Sequence, residues 1–348
     1  MKTVFVGLSG GVDSSVSAAL LAQQGYRVVG IYMKNWSQDL PGMPCTWQED
    51  YQDAKRVAVQ LGIDFKMYDF EKQYRHKVVD YMLDEFKAGR TPNPDITCNQ
   101  EIKFKLFLDT ALADGADLVA TGHYAKTKDG HLLMAKDANK DQTYFLYRVS
   151  KEALGKTIFP LGDLAKPQVR ELAKKFRLAT ATKKESMGIC FVGRVGIKEF
   201  LQQYVQPKPG AIIDQVGQEV GQHDGAIFYT IGQRSGLHIG GGLPYYVIGK
   251  DMIKNEVYVT TDLQDKKLWN KQLNFSSAHW INGQPKAGQQ LMVRTRHRAK
   301  LISVKVLNPP KADNLWTAEL GDEVRALTPG QSAVFYDGRE CLGGGIVV

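Results

Sequence analysis

Residues 4–15, Val-Phe-Val-Gly-Leu-Ser-Gly-Gly-Val-Asp-Ser-Ser, restrict what this chain can fold into more than any other stretch. A β-branched and aromatic run leads into a Ser-Gly-Gly-x-Asp-Ser turn, and Val16, Leu20 and Leu21 then recur on one helical face. A strand, a glycine turn and a helix N-terminus together make an anion site. Gly10 and Gly11 let the backbone approach the anion, and successive N–H groups point at it where the helix dipole is positive. Ser9, Ser14 and Ser15 add hydroxyl donors, and Asp13 is suited to hold Mg²⁺ against phosphate oxygens. The plainer alternative is a tight turn whose glycines only serve helix–strand packing.

Two commoner nucleotide loops are excluded. No Gly-x-x-x-x-Gly-Lys-Ser/Thr is present, so no lysine of the loop sits over β- and γ-phosphates, and no Gly-x-Gly-x-x-Gly follows the strand. What remains resembles the PP-loop of the ATP pyrophosphatase superfamily. That resemblance implies ATP, with its pyrophosphate held while a substrate oxygen attacks the α-phosphate.

The first part of the chain alternates strand and helix. Strands are expected at Tyr26 to Met33, Asp64 to Tyr68 and Leu118 to Thr121. Helical spacing runs through Ala54, Val57, Ala58 and Leu61, then through Val78, Val79, Met82 and Phe86, and then from Asn99 or Gln100 onward. Such alternation predicts a parallel sheet covered on both faces, with ligands at the carboxyl ends of its strands. The opening loop, Met33 and Gly122 all fall on that rim. From about Pro207 glycines multiply and helical spacing ends; from about Leu273 strands recur between turn signals. The expected fold is α/β: a Rossmann-like parallel sheet with a PP-loop (1–206), a small β-rich central domain (207–272) and a C-terminal β-barrel (273–348).

The four cysteines, at 45, 98, 190 and 341, are scattered, with no Cys-x-x-Cys, which points to free or reactive thiols and away from structural zinc. No run of eighteen apolar residues occurs and the chain enters a strand at once, so neither a membrane span nor a signal peptide is expected and the setting is read as cytoplasmic. The net charge of +8 favours a polyanionic partner without requiring one.

Cys98 follows Thr91-Pro92-Asn93-Pro94-Asp95, a proline-stiffened loop, and is placed at or next to the start of a helix, where a thiolate is favoured; Asp95 is within reach for proton transfer. The competing reading is a small apolar filler. Cys190 lies in Lys183-Lys184-Glu185-Ser186-Met187-Gly188-Ile189-Cys190, where lysines and flanking glycines suit thiolate chemistry, although Ile-Cys-Phe-Val also reads as a buried strand. Cys341 reads as core. Arg294, Arg296 and Arg298 alternate, so on an extended strand they share one face, either as phosphate contacts or as a solvated basic face.

Assembled, these residues resemble the tRNA-specific 2-thiouridylase family. Besides the PP-loop, the markers are Met33-Lys34-Asn35-Trp36, Thr91-Pro92-Asn93-Pro94-Asp95, Cys98-Asn99, Ala120-Thr121-Gly122-His123-Tyr124, Lys140-Asp141-Gln142, Gly188-Ile189-Cys190-Phe191, Gly232-Gln233-Arg234 and Thr328-Pro329-Gly330-Gln331, in that order over nearly the whole chain. The resemblance implies ATP-dependent adenylation of O2 of a wobble uridine. Sulfur would be carried on Cys190 as a persulfide, with Cys98 at the family's nucleophile position and a Cys98–Cys190 disulfide formed as sulfur is left on the base. It places ATP contacts on Gly7, Leu8, Ser9, Gly10, Gly11, Val12, Asp13, Ser14, Met33 and Gly122, and the target-base loop on Asn93, Pro94 and Asp95. It places tRNA contacts on His123, Lys140, Asp141, Gln142, Arg296, His297 and Gln331. Partners implied are tRNAs for Glu, Gln and Lys and a persulfide donor, a cysteine desulfurase or a relay protein; a monomer is expected. Gln100 and Glu185 depart from the family, where a basic residue and an aspartate are common. Lysidine synthetases need no catalytic cysteines and 2-thiocytidine synthetases use Cys-x-x-Cys pairs, while argininosuccinate and GMP synthetases need neither a basic barrel nor two activated thiols. A non-catalytic RNA-binding module would not need Asp13 and both cysteines.

Overall fold

In the computed structural model, which describes residues 1–39, 45–184, 196–240, 242–308 and 314–348, the N-terminal strand is the centre of a five-stranded parallel sheet. Its strands are β1 (Thr3–Gly7), β2 (Arg27–Lys34), β3 (Asp64–Asp69), β4 (Leu118–Ala120) and, after the hairpin β5 (Ala125–Lys128)–β6 (His131–Met134), β7 (Thr157–Ile158). The order is β3-β2-β1-β4-β7, parallel throughout. Val4, Phe5 and Val6 of β1 are all buried, the continuous apolar run of a strand covered on both faces. Helices α1 (Val12–Gln23) and α2 (Trp47–Leu61) pack on one face through Ala18, Leu21, Ala54 and Ala58.

One helix starts earlier than its periodicity suggests. Pro94–Thr97, Cys98–Leu106 and Phe107–Ala113 follow one another without a break, the middle part wound as a π-helix. Pro94 stands in the first turn, and the Asn93 side chain accepts the Asp95 N–H at 3.2 Å. The Asn-Pro pair is a helix start and not merely a rigid loop.

The central part forms a four-stranded sheet, ordered β10-β11-β8-β9, from β8 (Gly210–Ile213), β9 (Glu219–His223), β10 (Tyr246–Asp251) and β11 (Glu256–Thr260). Strands β12 (Trp269–Trp280), β13 (Gln290–Arg294), β14 (Ile302–Asn308), β15 (Trp316–Arg325), β16 (Ser332–Asp337) and β17 (Glu340–Val347) close into an antiparallel barrel, the circuit completed by β12–β17 pairing. Leu291 and Val293, Val304 and Val306, and Ala318 and Leu320 point inward at period two. Phe275, Trp280, Trp316 and Phe335 fill the interior with ring centroids 5.0–6.3 Å apart. Each fully buried ring stabilises the barrel by about 1.5–3 kcal/mol. The start of β17 also pairs with β6 (Cys341 with Leu132, Glu340 with Leu133), so a hairpin from the N-terminal part extends the barrel sheet. That edge is fastened by His131 and Glu340, 2.6 Å apart. Among the described residues no helix is long and apolar enough to cross a membrane.

Candidate functional site

The loop after β1 is held rigidly. Leu8 N–H donates to Ile31 O (2.8 Å), and Gly10 has φ +73 with its backbone pressed on α2: a Cβ there would lie 2.4 Å from Asp50 O. Gly11, the N-cap of α1, has no side chain to cap the first amides, so they stay available to a ligand. The Ser14 and Ser15 hydroxyls turn back onto Gly11 O (3.1 and 2.7 Å) and stiffen the loop, whereas Ser9 is exposed at its mouth. Met33 and Gly122 border the same rim. The Met33 methyl lies over Gly7, and Gly122 sits so close to α1 that a Cβ would be 2.7 Å from Ser14 N.

The loop has no lysine of its own, yet one arrives from far along the chain. Lys166 Nζ donates to both carboxylate oxygens of Asp13 at 2.8 Å, and Tyr124 OH donates to Oδ1 at 2.9 Å. Lys166 opens the Lys166–Lys175 helix, where the dipole disfavours a cation, and its side chain is only 12% exposed. A buried ammonium in that position needs anions, and Asp13 supplies one. Asp13 is therefore ion-paired, and a metal there would have to share it with Lys166. No cluster of three or more metal-ligating side chains occurs among the described residues.

From Asp13 a chain of contacts runs across the molecule. Tyr124 and Gln142 exchange hydrogen bonds, Tyr124 N to Gln142 Oε1 and Gln142 N to Tyr124 O, both 2.9 Å. Beside Gln142, Asp141 is buried, accepts from Ala135 N (2.9 Å) and Thr143 Oγ1 (2.7 Å), and pairs with Arg294 of the barrel at 3.4 Å. Lys140 lies half-buried in the same loop. His123 follows Gly122 but points inward: its Nδ1 lies 2.7 Å from Thr121 Oγ1 and its ring packs on Phe104 and Phe159. Burial holds its imidazole well below the ordinary range, hence neutral. Both the His123 and Asp141 side chains are thus buried and hydrogen-bonded inside the protein.

Phe104 belongs to the Cys98–Leu106 segment, so the sheet rim bearing Gly122 and the helix bearing Cys98 share one wall. Cys98 lies one turn into the helix, 1% exposed, beyond the first turn where the helix dipole acts strongly. Asp95, just upstream, is largely buried, and desolvation holds its carboxyl above the usual range with Lys103 opposing. Pro92 and Pro94 line a cleft of about 610 Å³ that continues to Lys198 and Tyr229. Cys190 and Glu185 lie outside the described residues. Just before them, Lys183 is anchored by Asp50 (2.7 Å) and Asp53 (2.6 Å) of α2.

The arginine stripe is not what alternation suggests. Strand β13 ends at Arg294, which turns inward to Asp141 with only 12% of its side chain exposed. Arg296 and Arg298 lie beyond the strand and are exposed; Arg298 has φ +62, and Arg296 Nη2 donates to Ala326 O at 2.9 Å. A buried carboxylate on a distant loop captures the first arginine and leaves two. His297 packs on Phe145 with centroids 4.5 Å apart, and burial lowers its pKa to about 4, with Arg298 and Arg294 adding repulsion. It is therefore neutral near pH 7. Gln331 donates to Thr91 O at 2.7 Å. Arg148 bridges the Cys98 helix and the barrel, donating to Gln100 Oε1 (2.6 Å) and Ser277 O (3.1 Å).

Three family models match in succession: a tRNA methyl transferase HUP domain at residues 2–194, a tRNA methyl transferase PRC-barrel domain at 198–261 and an aminomethyltransferase beta-barrel domain at 270–347. The tRNA-specific 2-thiouridylase MnmA of Bacillus subtilis (strain 168) is 48% identical over 349 residues, covering 99% of this chain and 94% of that protein. That of Streptococcus sanguinis (strain SK36) is 49% identical over 354 residues, with the same coverage. Among solved structures, a 4-thiouridine synthetase–RNA complex with bound ATP aligns at a TM-score of 0.38 and 18% identity, over 59% of this chain and 50% of that one, too weak a likeness to compare sites. With near-half identity sustained from end to end, the chain belongs to the tRNA-specific 2-thiouridylase family.

Proposed function

We propose that this protein replaces O2 of the wobble uridine of tRNA with sulfur at the expense of ATP. Uridine O2 attacks the α-phosphorus, pyrophosphate leaves, and the base carries AMP on O2. The terminal sulfur of a Cys190 persulfide attacks C2, and AMP departs with the original oxygen. The Cys98 thiolate then attacks the Cys190 sulfur and the S–S bond breaks. Sulfur stays on C2 with the electron pair, and the two cysteines are left oxidised as a disulfide. A dithiol reductant and a persulfide donor restore them for the next cycle.

The observation that carries this reading is the shared wall. The uncapped amides of α1 with the Asp13–Lys166 pair, and the helix bearing Cys98, are joined through Gly122, His123 and Phe104. Mg²⁺ would accompany the ATP phosphates, with Asp13 as the carboxylate beside it. The buried Asp95, whose carboxyl keeps its proton to higher pH, suits proton transfer at the base. The catalytic part would span 1–206, the linking part 207–272 and the tRNA-binding barrel 273–348, with Arg296, Arg298 and the Lys140 loop as backbone contacts. The relatives' names, and a loop built for pyrophosphate, favour sulfur transfer over the methyl transfer in the matching families' names.

ATP should accordingly be cleaved between its α- and β-phosphates. Turnover with tRNA and a persulfide donor is expected to release AMP and pyrophosphate in equal amounts, assayed with α- and γ-labelled ATP. Release of ADP and phosphate would overturn the reading.

A further inference from the structure

Thr91 is where the three parts of the chain meet. Its N–H donates to Pro329 O (2.8 Å) and its carbonyl accepts from Gln331 Nε2 (2.7 Å), so both backbone groups are held by the turn preceding β16. Its hydroxyl lies 3.2 Å from that of Thr230 in the central part. The approach requires glycine at 330, where φ is +91 and a Cβ would stand 2.7 Å from Thr91 N. The turn is itself tied to the last strand, Gly330 N to Val347 O (2.9 Å) and Val347 N to Gln331 O (2.8 Å). Downstream of Thr91, two prolines fix φ, and Asn93 is held extended before Pro94 while it caps Asp95 N. So stiff a segment passes a displacement of Thr91 on to Asp95 and the Cys98 helix.

We propose that Gln331 is a positioning residue. Through the bond to Thr91 the barrel sets the Asn93–Asp95 loop, so that RNA bound on the barrel and the loop that meets the base keep one register. What the loop does rests on the thiolation reading; the contact and its consequence for Cys98 do not.

The test is Gln331→Met in the full chain, which keeps side-chain length and removes the amide. Alkylation is followed peptide by peptide, with Cys341, wholly buried where the barrel meets the β5–β6 hairpin, as the gauge of barrel integrity. Cys98 is expected to alkylate about tenfold faster with Cys341 unchanged. At saturating tRNA kcat should fall roughly 10- to 100-fold while the KM for tRNA stays within about twofold. Unchanged Cys98 labelling, or a raised KM at unchanged kcat, overturns the proposal and makes Gln331 an RNA contact alone. Should Gln331→Met also expose Cys341, Gln331→Asn, polar but one methylene short, is judged by the same two readouts. If the wild-type protein itself thiolates no tRNA, the functional reading fails while the labelling contrast still decides the contact.

Discussion

Cys98→Ser is expected to lower thiolation by at least about 10³-fold while tRNA-dependent pyrophosphate release persists for a first turnover. A serine hydroxyl ionises far less readily than a thiol and cannot complete a disulfide, so sulfur bound to the base through Cys190 has no route to release. Cys190→Ser should fail one step earlier, with no persulfide detectable by mass spectrometry after incubation with the donor. The other two thiols separate chemistry from packing. Cys45→Ser should retain activity. Cys341→Ser should also remain active but melt lower, because a hydroxyl replaces a sulfur that is fully buried in the sheet, at a cost of about 1–3 kcal/mol. Wild-type thiolation rates in Cys98→Ser or Cys190→Ser would remove the assigned roles.

Lys166→Met should depress adenylation by about 10²- to 10³-fold, the scale of removing one preorganised charge from a developing phosphate transition state. Its ammonium stands 2.8 Å from Asp13 at the mouth of the anion site and is nearly shielded from water, so it interacts far more strongly than a surface lysine. Lys166→Arg should keep part of the activity. The measurement is single-turnover pyrophosphate release at saturating ATP and tRNA. A Lys166→Met enzyme that adenylates normally but melts lower would show that the lysine only neutralises Asp13; Asp13→Asn in the same background would then restore the melting temperature.

The features legible in the sequence are local ones. The PP-loop could be read because strand, glycine turn and helix start lie within a dozen residues, and β1 and β2 because apolar runs of that length fit a covered parallel sheet. The start of the Cys98 helix was within reach, since Asn-Pro-Asp is a capping pattern, but Pro92 and Pro94 together read as a rigid loop. The remaining features depend on distant partners. Lys166 meets Asp13, and Arg294 meets Asp141, each across 153 residues, and no periodicity announces either pair. The period-two pattern of the arginines was correct only to Arg294, where the strand ends. The β5–β6 hairpin joining β17 is likewise invisible locally, because Leu132 and Cys341 are ordinary strand residues until the barrel offers an open edge.

The most direct test of the account is nucleoside mass spectrometry of tRNA incubated with this protein, ATP–Mg²⁺ and a persulfide donor. It should reveal 2-thiouridine at the wobble position, formed one for one with AMP and absent when ATP is omitted. Uridine left unmodified while ATP is consumed, or a methylated or 4-thiolated base in its place, would contradict it.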